Sequence, residues 1–325
     1  MNEMSPEFSI VVPVYNEEES LPELLRRLAG LLEQLDGSAE VILVDDRSSD
    51  RSYDLMLEAR ERDSRLKVLR LSRNFGHQIA VTAGLDVAAG NAVIVMDADL
   101  QDPPEVVLDM AARWREGYDV VYAVREEREG ETRFKKLTAA LFYRLFRRMT
   151  DVSMPIDVGD FRLVDRRALE AFKAMPEANR YVRGMFSWIG FRQVGVPFQR
   201  AERFAGETKY PLTKMLKFAT DGVVSFSSEP LRLALKLGFV VSGLSFLFGF
   251  LALVFKLAGL YSIPGLASIA VFISFLGGIQ LLVLGLMGEY IARIHDEVKR
   301  RPLYLVSDAH GLAVPESLPL ERAGS

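Results

Sequence analysis

Asp97-Ala98-Asp99 puts two carboxylates at alternate positions around a small residue, with Gln101 and Asp102 close behind. Hard oxygen donors in this pattern suit Mg²⁺ or Mn²⁺, ions that keep several waters and share the phosphates of a substrate. Further acids stand at Glu17 and at the pair Asp45-Asp46. Gathering carboxylates costs repulsion, so a cation or a set of donors should balance them. A bare D-x-D is also what many solvated turns carry, so its place in the fold decides. Other chemistries lose ground. With no Cys there is no disulfide framework, thiolate zinc site or cysteine nucleophile. The His residues are His77, His295 and His310, and the HExxH pattern is absent. Neither GxxxxGK[ST] nor GxGxxG occurs, which disfavours P-loop and dinucleotide-binding domains. A nucleotide held here would meet acids at its base and ribose, and a metal at its phosphates.

Each acid follows an apolar run. Phe8–Val14 reads as a buried strand that ends at Tyr15-Asn16-Glu17. Glu18–Leu35 carries a helical leucine stripe. Val41–Val44 is a second strand, ending in Asp45-Asp46; Ser52–Asp63 is a helix and Leu66–Leu71 a third strand. Gln78–Val87 is a helix, and Ala92–Met96 is a strand ending in the D-x-D. Pro104–Glu116 and Asp119–Val124 complete the alternation as a helix and a fifth strand. This predicts an α/β domain with a mostly parallel sheet, whose ligands bind beyond the carboxyl ends of the strands.

The chain of 325 residues is 49% hydrophobic and 26% charged, within the globular range. A net charge of −4 argues against a nucleic-acid binder. The mean hydropathy, +0.11, hides a split. Leu237–Phe255 is a run of 19 uncharged residues, roughly 28 Å as a helix, against a hydrocarbon core of ~30 Å. After Lys256, and a turn at Tyr261, Pro264 and Gly265, Leu266–Gly288 forms a second span. A pair of buried core helices is the plain alternative, though such helices rarely run so long without charge. Arg232 and Lys236 precede the first span, and Arg293, Lys299, Arg300 and Arg301 follow the second. The positive-inside rule then places both termini in the cytoplasm, in a multi-pass protein of the inner (plasma) membrane. The N-terminus shows no signal-peptide pattern. The expected organisation is a cytoplasmic catalytic domain (1–210), juxtamembrane amphipathic helices (211–232), two transmembrane helices (233–290) and a cytoplasmic tail (291–325). The tail is expected to fray from about Ser307. Phe134–Met149 groups apolar residues on one side with basic residues flanking them. That suits an interfacial helix, or an ordinary packing helix.

Taken in order, SIVVPVYNEEESL, VDDRSSDRS, LSRNFGHQIAVTAGLD and VIVMDADLQDPPE resemble the family 2 glycosyltransferases of the GT-A fold. VGDFRLVDR, RFAGETKYPLTKMLKFATDGVVSFS and GEYIARIHDEVKRRPLY look like their membrane-anchored polyprenyl-phosphate subgroup, and the resemblance covers about residues 8–305. It implies inverting transfer of a sugar, such as glucose, from a nucleotide sugar to a polyprenyl phosphate such as undecaprenyl phosphate. UDP is the favoured nucleotide; a mannose synthase using GDP-mannose is the variant reading. It implies that Pro13, Tyr15 and Glu17 cradle base and ribose, with turn chemistry as the alternative for the first two. Asp46 matches the base-contacting Asp, and Asp45 its neighbour. Asp97, Ala98 and Asp99 match the metal-binding motif, with Gln101 beside it, and Asp97 also touches the ribose or a metal-bound phosphate. Arg47 stands where the family commonly has Gly, a departure that matters if the backbone needs φ > 0.

Asp160 matches the family's proposed general base. A phosphate monoester, with a second pKa of about 6, needs little help from a base, so Asp160 could instead order a cation or sugar hydroxyls. Asp99 and Arg125 join it as the expected catalytic groups. Arg125, Arg128, Arg203 and Lys209 are the expected cations for the acceptor phosphate, with Arg133 and Arg200 as lesser candidates. Thr208 stands where the family often has Ser. His77 either touches the diphosphate or a catalytic loop, or is a core or capping imidazole, the reading favoured here. Relatives suggest a tetramer. Three rivals stand beside this reading. A processive synthase lacks its QxxRW motif here, a nucleotidyltransferase would not need the membrane, and a non-catalytic module binding lipid-linked sugars would not need the intact acids.

Overall fold

The computed structural model describes residues 5–125, 158–199, 227, 229–258 and 266–312. The expected interfacial helix at 134–149, the turn at 261–265 and nearly all of 211–228 lie outside the described residues. The chain divides into two compact units, one of residues 1–143, 152–212 and 301–325, the other of 144–151 and 213–300.

The first unit is built on one eight-stranded sheet. Its strands are β1 (Phe8–Val14), β2 (Ala39–Asp45), β3 (Leu66–Leu71), β4 (Ala92–Val95), β5 (Val120–Arg125), β6 (Val158–Asp165), β7 (Gln193–Phe198) and β8 (Val306–His310). They lie in the order β7-β5-β6-β4-β1-β2-β3-β8. β3, β2, β1 and β4 run parallel, as do β5 and β7, while β6 and β8 run antiparallel to their neighbours. Every residue of β1 is buried, as a central parallel strand covered on both faces requires. The expected α/β class with a mostly parallel sheet is the observed one.

Among the described residues the helices of this unit are α1 (Leu21–Gln34), α2 (Ser52–Arg62), α3 (His77–Val87), α4 (Val106–Arg115), α5 (Arg166–Lys173) and α6 (Val182–Trp188). α1 starts at Leu21, the first leucine of its stripe, and not at the expected Glu18. Ser20 and Leu21 first donate their N–H groups to the Glu17 carbonyl in a turn, and Pro22 then sits in the first helical turn, where no N–H is needed. Close approach fixes α3. A Cβ on Gly84 would lie 2.3 Å from Val11 Cγ1 and 3.0 Å from Val44 Cγ2, so the helix rests directly on β1 and β2.

The C-terminal segment departs from expectation. Val306–His310, placed in a fraying tail, is strand β8, antiparallel to β3, with Val306 wholly buried. Tyr304 is buried too, and its hydroxyl donates to Asp86 on α3 at 2.9 Å. The segment reads as a tail because only Val306 and Ala309 are apolar in VSDAH; pairing with an open sheet edge, not hydrophobic pattern, makes it a strand.

The second unit holds two long helices, α7 (Glu229–Leu257) and α8 (Leu266–Lys299). Both contain stretches long and apolar enough to cross a membrane. Phe246 is 80% exposed and Leu282 76%. Apolar side chains of both helices face outward, an exposed apolar surface of the kind that marks contact with a membrane or another protein. Both run beyond the predicted spans: α7 begins at Glu229, with Pro230 in its first turn, and α8 continues through Arg293 to Lys299.

Candidate active site

The acids converge because of strand order. β1 lies between β2 and β4, so the chain ends of all three strands adjoin at the point where strand order reverses. Glu17, Asp45-Asp46 and Asp97–Asp99 follow these ends. The first two loops are sewn together. Asn16 N–H donates to Ser48 Oγ at 3.1 Å, and Ser49 N–H donates to Asn16 Oδ1 at 2.8 Å. Glu17 N–H donates to Ser52 Oγ at 2.8 Å, and Ser20 Oγ–H donates to the Glu17 carboxylate at 2.6 Å. Tyr15 stands beside this clamp, half-exposed at 49%.

Three expected contacts change character. Pro13 is buried within β1, in register with Val44, and offers no ring to a nucleobase. Asp45 is fully buried: one oxygen accepts the Ser48 N–H at 2.9 Å, and the other forms an ion pair with Arg70 Nε at 3.0 Å. It shapes the turn and has no face for a ligand. Asp46 accepts the N–H groups of Phe75 and Gly76 at 2.7 and 2.8 Å, fastening the RNFG loop ahead of α3. Burial nonetheless pushes its carboxyl upward. Arg47 adopts φ = 63°, the left-handed conformation in which Gly would be unstrained. The turn keeps the shape that Gly favours and carries the strain of an Arg in it.

In the D-x-D segment Ala98 is buried, and Asp99 accepts the Gln101 N–H at 3.1 Å across Leu100, which has φ = 61°. A left-handed Leu is strained, and here it turns the chain so that Asp99 and Gln101 face one another. Among the described residues Asp97 Oδ1 is buried with no hydrogen-bond partner, and His77 Nε2 lies 3.6 Å from it. Burial and the neighbouring acids raise the Asp97 carboxyl. They push Asp102, whose carboxylate accepts the Asp97 N–H at 3.4 Å, up to about 7. Acids raised in this way are destabilised as anions, and a divalent cation among them would relieve it. Among the described residues no three His, Asp or Glu side chains form a ready metal cluster. One or two carboxylates plus substrate phosphates is the usual Mg²⁺ arrangement, so this donor set fits such an ion.

Asp160 sits on β6, 3% exposed. Arg183 of α6 grips both its oxygens, at 2.8 and 3.0 Å, and His77 Nε2 and Gln78 Nε2 each lie 3.2 Å from Oδ2. Burial alone would raise this carboxyl, but Arg183 and His77 together hold it well below the usual range. Gln78 also accepts the Val182 N–H at 2.9 Å, joining the start of α3 to the start of α6. Burial opposes the charge on His77, but Asp160 and Asp97 outweigh it and raise the imidazole to about 9. His77 is 44% exposed on its side chain, so it is neither a core imidazole nor a cap; it bridges Asp160 and the D-x-D. Arg125, at the end of β5, passes over Gly159, where a Cβ would meet its guanidinium at 3.1 Å, and its Nε is buried without a hydrogen bond among the described residues. Its charge offsets only part of the rise at Asp102.

Arg128, Arg203 and Lys209, with Arg133, Arg200 and Thr208, lie outside the described residues. Sequence reading missed Arg183, Gln78 and Arg70. Arg183 lies in a stretch with no chemical pattern of its own; only the demand of buried Asp160 for a partner could have pointed to it.

The sequence matches Glycosyl transferase family 2 over residues 9–172. The uncharacterized glycosyltransferase YkcC of Bacillus subtilis (strain 168) is 52% identical over 94% of this chain and 95% of its own. The SfII prophage-derived bactoprenol glucosyl transferase of Shigella flexneri is 39% identical, over 93% of this chain and 98% of its own. Among solved structures, glucosyl-3-phosphoglycerate synthase from Mycobacterium tuberculosis, in complex with Mn²⁺, UDP and glucosyl-3-phosphoglycerate, has a TM-score of 0.48 at 20% identity, over 67% of this chain and 78% of that one. The fold is the GT-A-like α/β fold of a glycosyltransferase. The chain belongs to glycosyl transferase family 2.

Proposed function

We propose that the protein transfers a sugar, a hexose such as glucose, from a UDP-linked donor to a polyprenyl phosphate at the cytoplasmic face of the membrane. The observation that carries this is one chain with both halves of the task. An acid rim lies at the switch point of the sheet, and two helices turn apolar side chains outward. The bactoprenol glucosyl transferases at 38–39% identity name an acceptor of that kind.

Tyr15 offers an exposed ring to the base, and Asp46 and Glu17 bound the nucleotide pocket from turns that are locked together. Asp97 and Asp99, with Gln101 beside them, would hold Mg²⁺ or Mn²⁺, which supplies positive charge to the departing diphosphate. The acceptor phosphate is mostly dianionic at neutral pH and attacks the anomeric carbon unaided, with inversion. Asp160 is therefore spared base chemistry. Its oxygens, taken up by Arg183, His77 and Gln78, orient His77 at the edge of the acid rim. Arg125, against Gly159, offers a guanidinium suited to phosphate, with Arg128, Arg203 and Lys209 as further cations for the acceptor. Both termini are cytoplasmic in this reading.

Radiolabelled UDP- and GDP-sugars offered with undecaprenyl phosphate in detergent test it. The expected result is a lipid-extractable product that needs Mg²⁺ or Mn²⁺ and falls at least about a hundredfold in Asp99→Ala. Nucleotide binding without transfer from any donor would favour a lipid-linked-sugar binding module; no nucleotide binding would sink the reading.

A further inference from the structure

The Asp45–Ser52 turn is gripped from β3, and β3 is gripped in turn by the strand that follows the second long helix. Arg70 lies directly opposite Asp45 on β2 and opposite Asp308 on β8. Its Nε pairs with the buried Asp45 carboxylate at 3.0 Å, at the start of the turn. Its guanidinium carbon also lies over the Tyr53 ring, 3.9 Å from the centroid. Tyr53 follows Ser52, the residue that closes the turn onto Glu17. One side chain thus holds both ends of the turn. Tyr53 is fixed from the far side, its hydroxyl 3.1 Å from His310 Nε2 on β8. A continuous set of contacts runs from His310 through Tyr53 and Arg70 to Asp45, and from Asp45 to the Ser48 N–H. Ser48 in turn accepts the Asn16 N–H beside Tyr15.

We propose that Arg70 is a positioning residue for nucleotide binding, through which β8 sets the Asp45–Ser52 turn. The inference rests on the reading above, in which Asp46 and Glu17 bound the nucleotide. The Arg70 side chain is only 20% exposed, and a guanidinium that pairs with one residue and sits over the ring of another restricts both. A segment far from the site in sequence, beyond both membrane helices, then becomes part of the donor pocket's support. Loss of that support misplaces Asp46 and Glu17 by fractions of an ångström, which a binding constant registers.

The test is isothermal titration of UDP and of GDP, each with Mg²⁺, on the full-length protein in detergent, with the thermal midpoint read on the same preparations. Arg70→Met is expected to raise the nucleotide Kd by about tenfold, and to raise the donor KM more than it lowers kcat. Tyr53→Phe and His310→Gln, which cut only the link to β8, are expected to raise Kd by about threefold. Should Arg70→Met not fold, Arg70→Lys decides by the same readout, because it keeps a charge against Asp45 but cannot spread over Tyr53. Lower thermal midpoints with wild-type Kd values would overturn the proposal. If the wild type binds a nucleotide, Asp46→Ala does not, and the Arg70 variants bind as the wild type does, the proposal alone falls. If the wild type binds neither nucleotide, the nucleotide reading falls and takes this proposal with it.

Discussion

Asp160 shows how far a residue's surroundings can override its type. A carboxylate in a cleft invites the role of base. This one is gripped at both oxygens by Arg183 and approached by two further donors, and its affinity for a proton is correspondingly low. Removing one partner of such a buried pair costs about 3–5 kcal/mol, while removing both charges together costs far less. The expected outcome is strong coupling. Asp160→Asn and Arg183→Gln should each lower transfer at least about tenfold, and the double variant should be no worse than either. A general base would behave otherwise: freeing it from Arg183 would hold or raise the rate. His77 gives a second expectation. Its folded pKa, about 9, lies above the ordinary 6.5. The folded protein therefore keeps a proton that the unfolded chain has lost. Its contribution to stability is full below pH 6.5 and is lost as pH rises through about 9. Thermal midpoints in metal-free buffer should decline across that window, and less so in His77→Gln. Equal slopes in the two proteins would refute the assignment.

Element boundaries were legible wherever a run was apolar and local. β1 and β3 fall at Phe8–Val14 and Leu66–Leu71, as their hydrophobic runs dictate. β6 was not legible. Val158–Asp165 carries Asp160 and Arg162, and a strand with buried charges has no apolar signature. Their burial is tolerated because each finds partners: Asp160 those that arrive from α3 and α6, Arg162 two carbonyls of its own strand and a ring of α6. Arg162 donates to the carbonyls of Gly159 and Asp160 and lies 5.1 Å from the Phe186 ring of α6. β8 was illegible for the related reason that its stability comes from the β3 edge. The seat of α3 is equally a matter of tertiary contact. Gly84→Ala places a methyl against Val11 and Val44, and is expected to cost about 1–3 kcal/mol by overpacking. Because α3 opens with His77 and Gln78, the same variant should weaken transfer. An unchanged melting midpoint would show that the helix can lift from the sheet.

For the whole molecule, the absence of Cys makes topology directly measurable, since any thiol introduced is unique. Ser262→Cys, between the long helices, is expected to react with a membrane-impermeant thiol reagent in intact cells. Ser307→Cys, on β8, should react only after permeabilisation. The opposite pattern would invert the orientation drawn from the flanking Arg and Lys residues. By itself the sequence determined the α/β class, the acid-bearing strand ends and the two apolar helices. Each of these is written in local periodicity or in an uninterrupted run, and needs no knowledge of distant partners. Only the tertiary structure decided which partners each acid has. Asp45 and Asp46 are neighbours in sequence, yet one is locked behind the turn by Arg70 while the other faces the loop before α3. It also decided that Asp160 belongs to Arg183, and that a charged C-terminal stretch closes the sheet. These outcomes depend on which buried charge finds a counter-charge and which sheet edge finds a strand. Such pairings join residues far apart in the chain, where no local pattern records them.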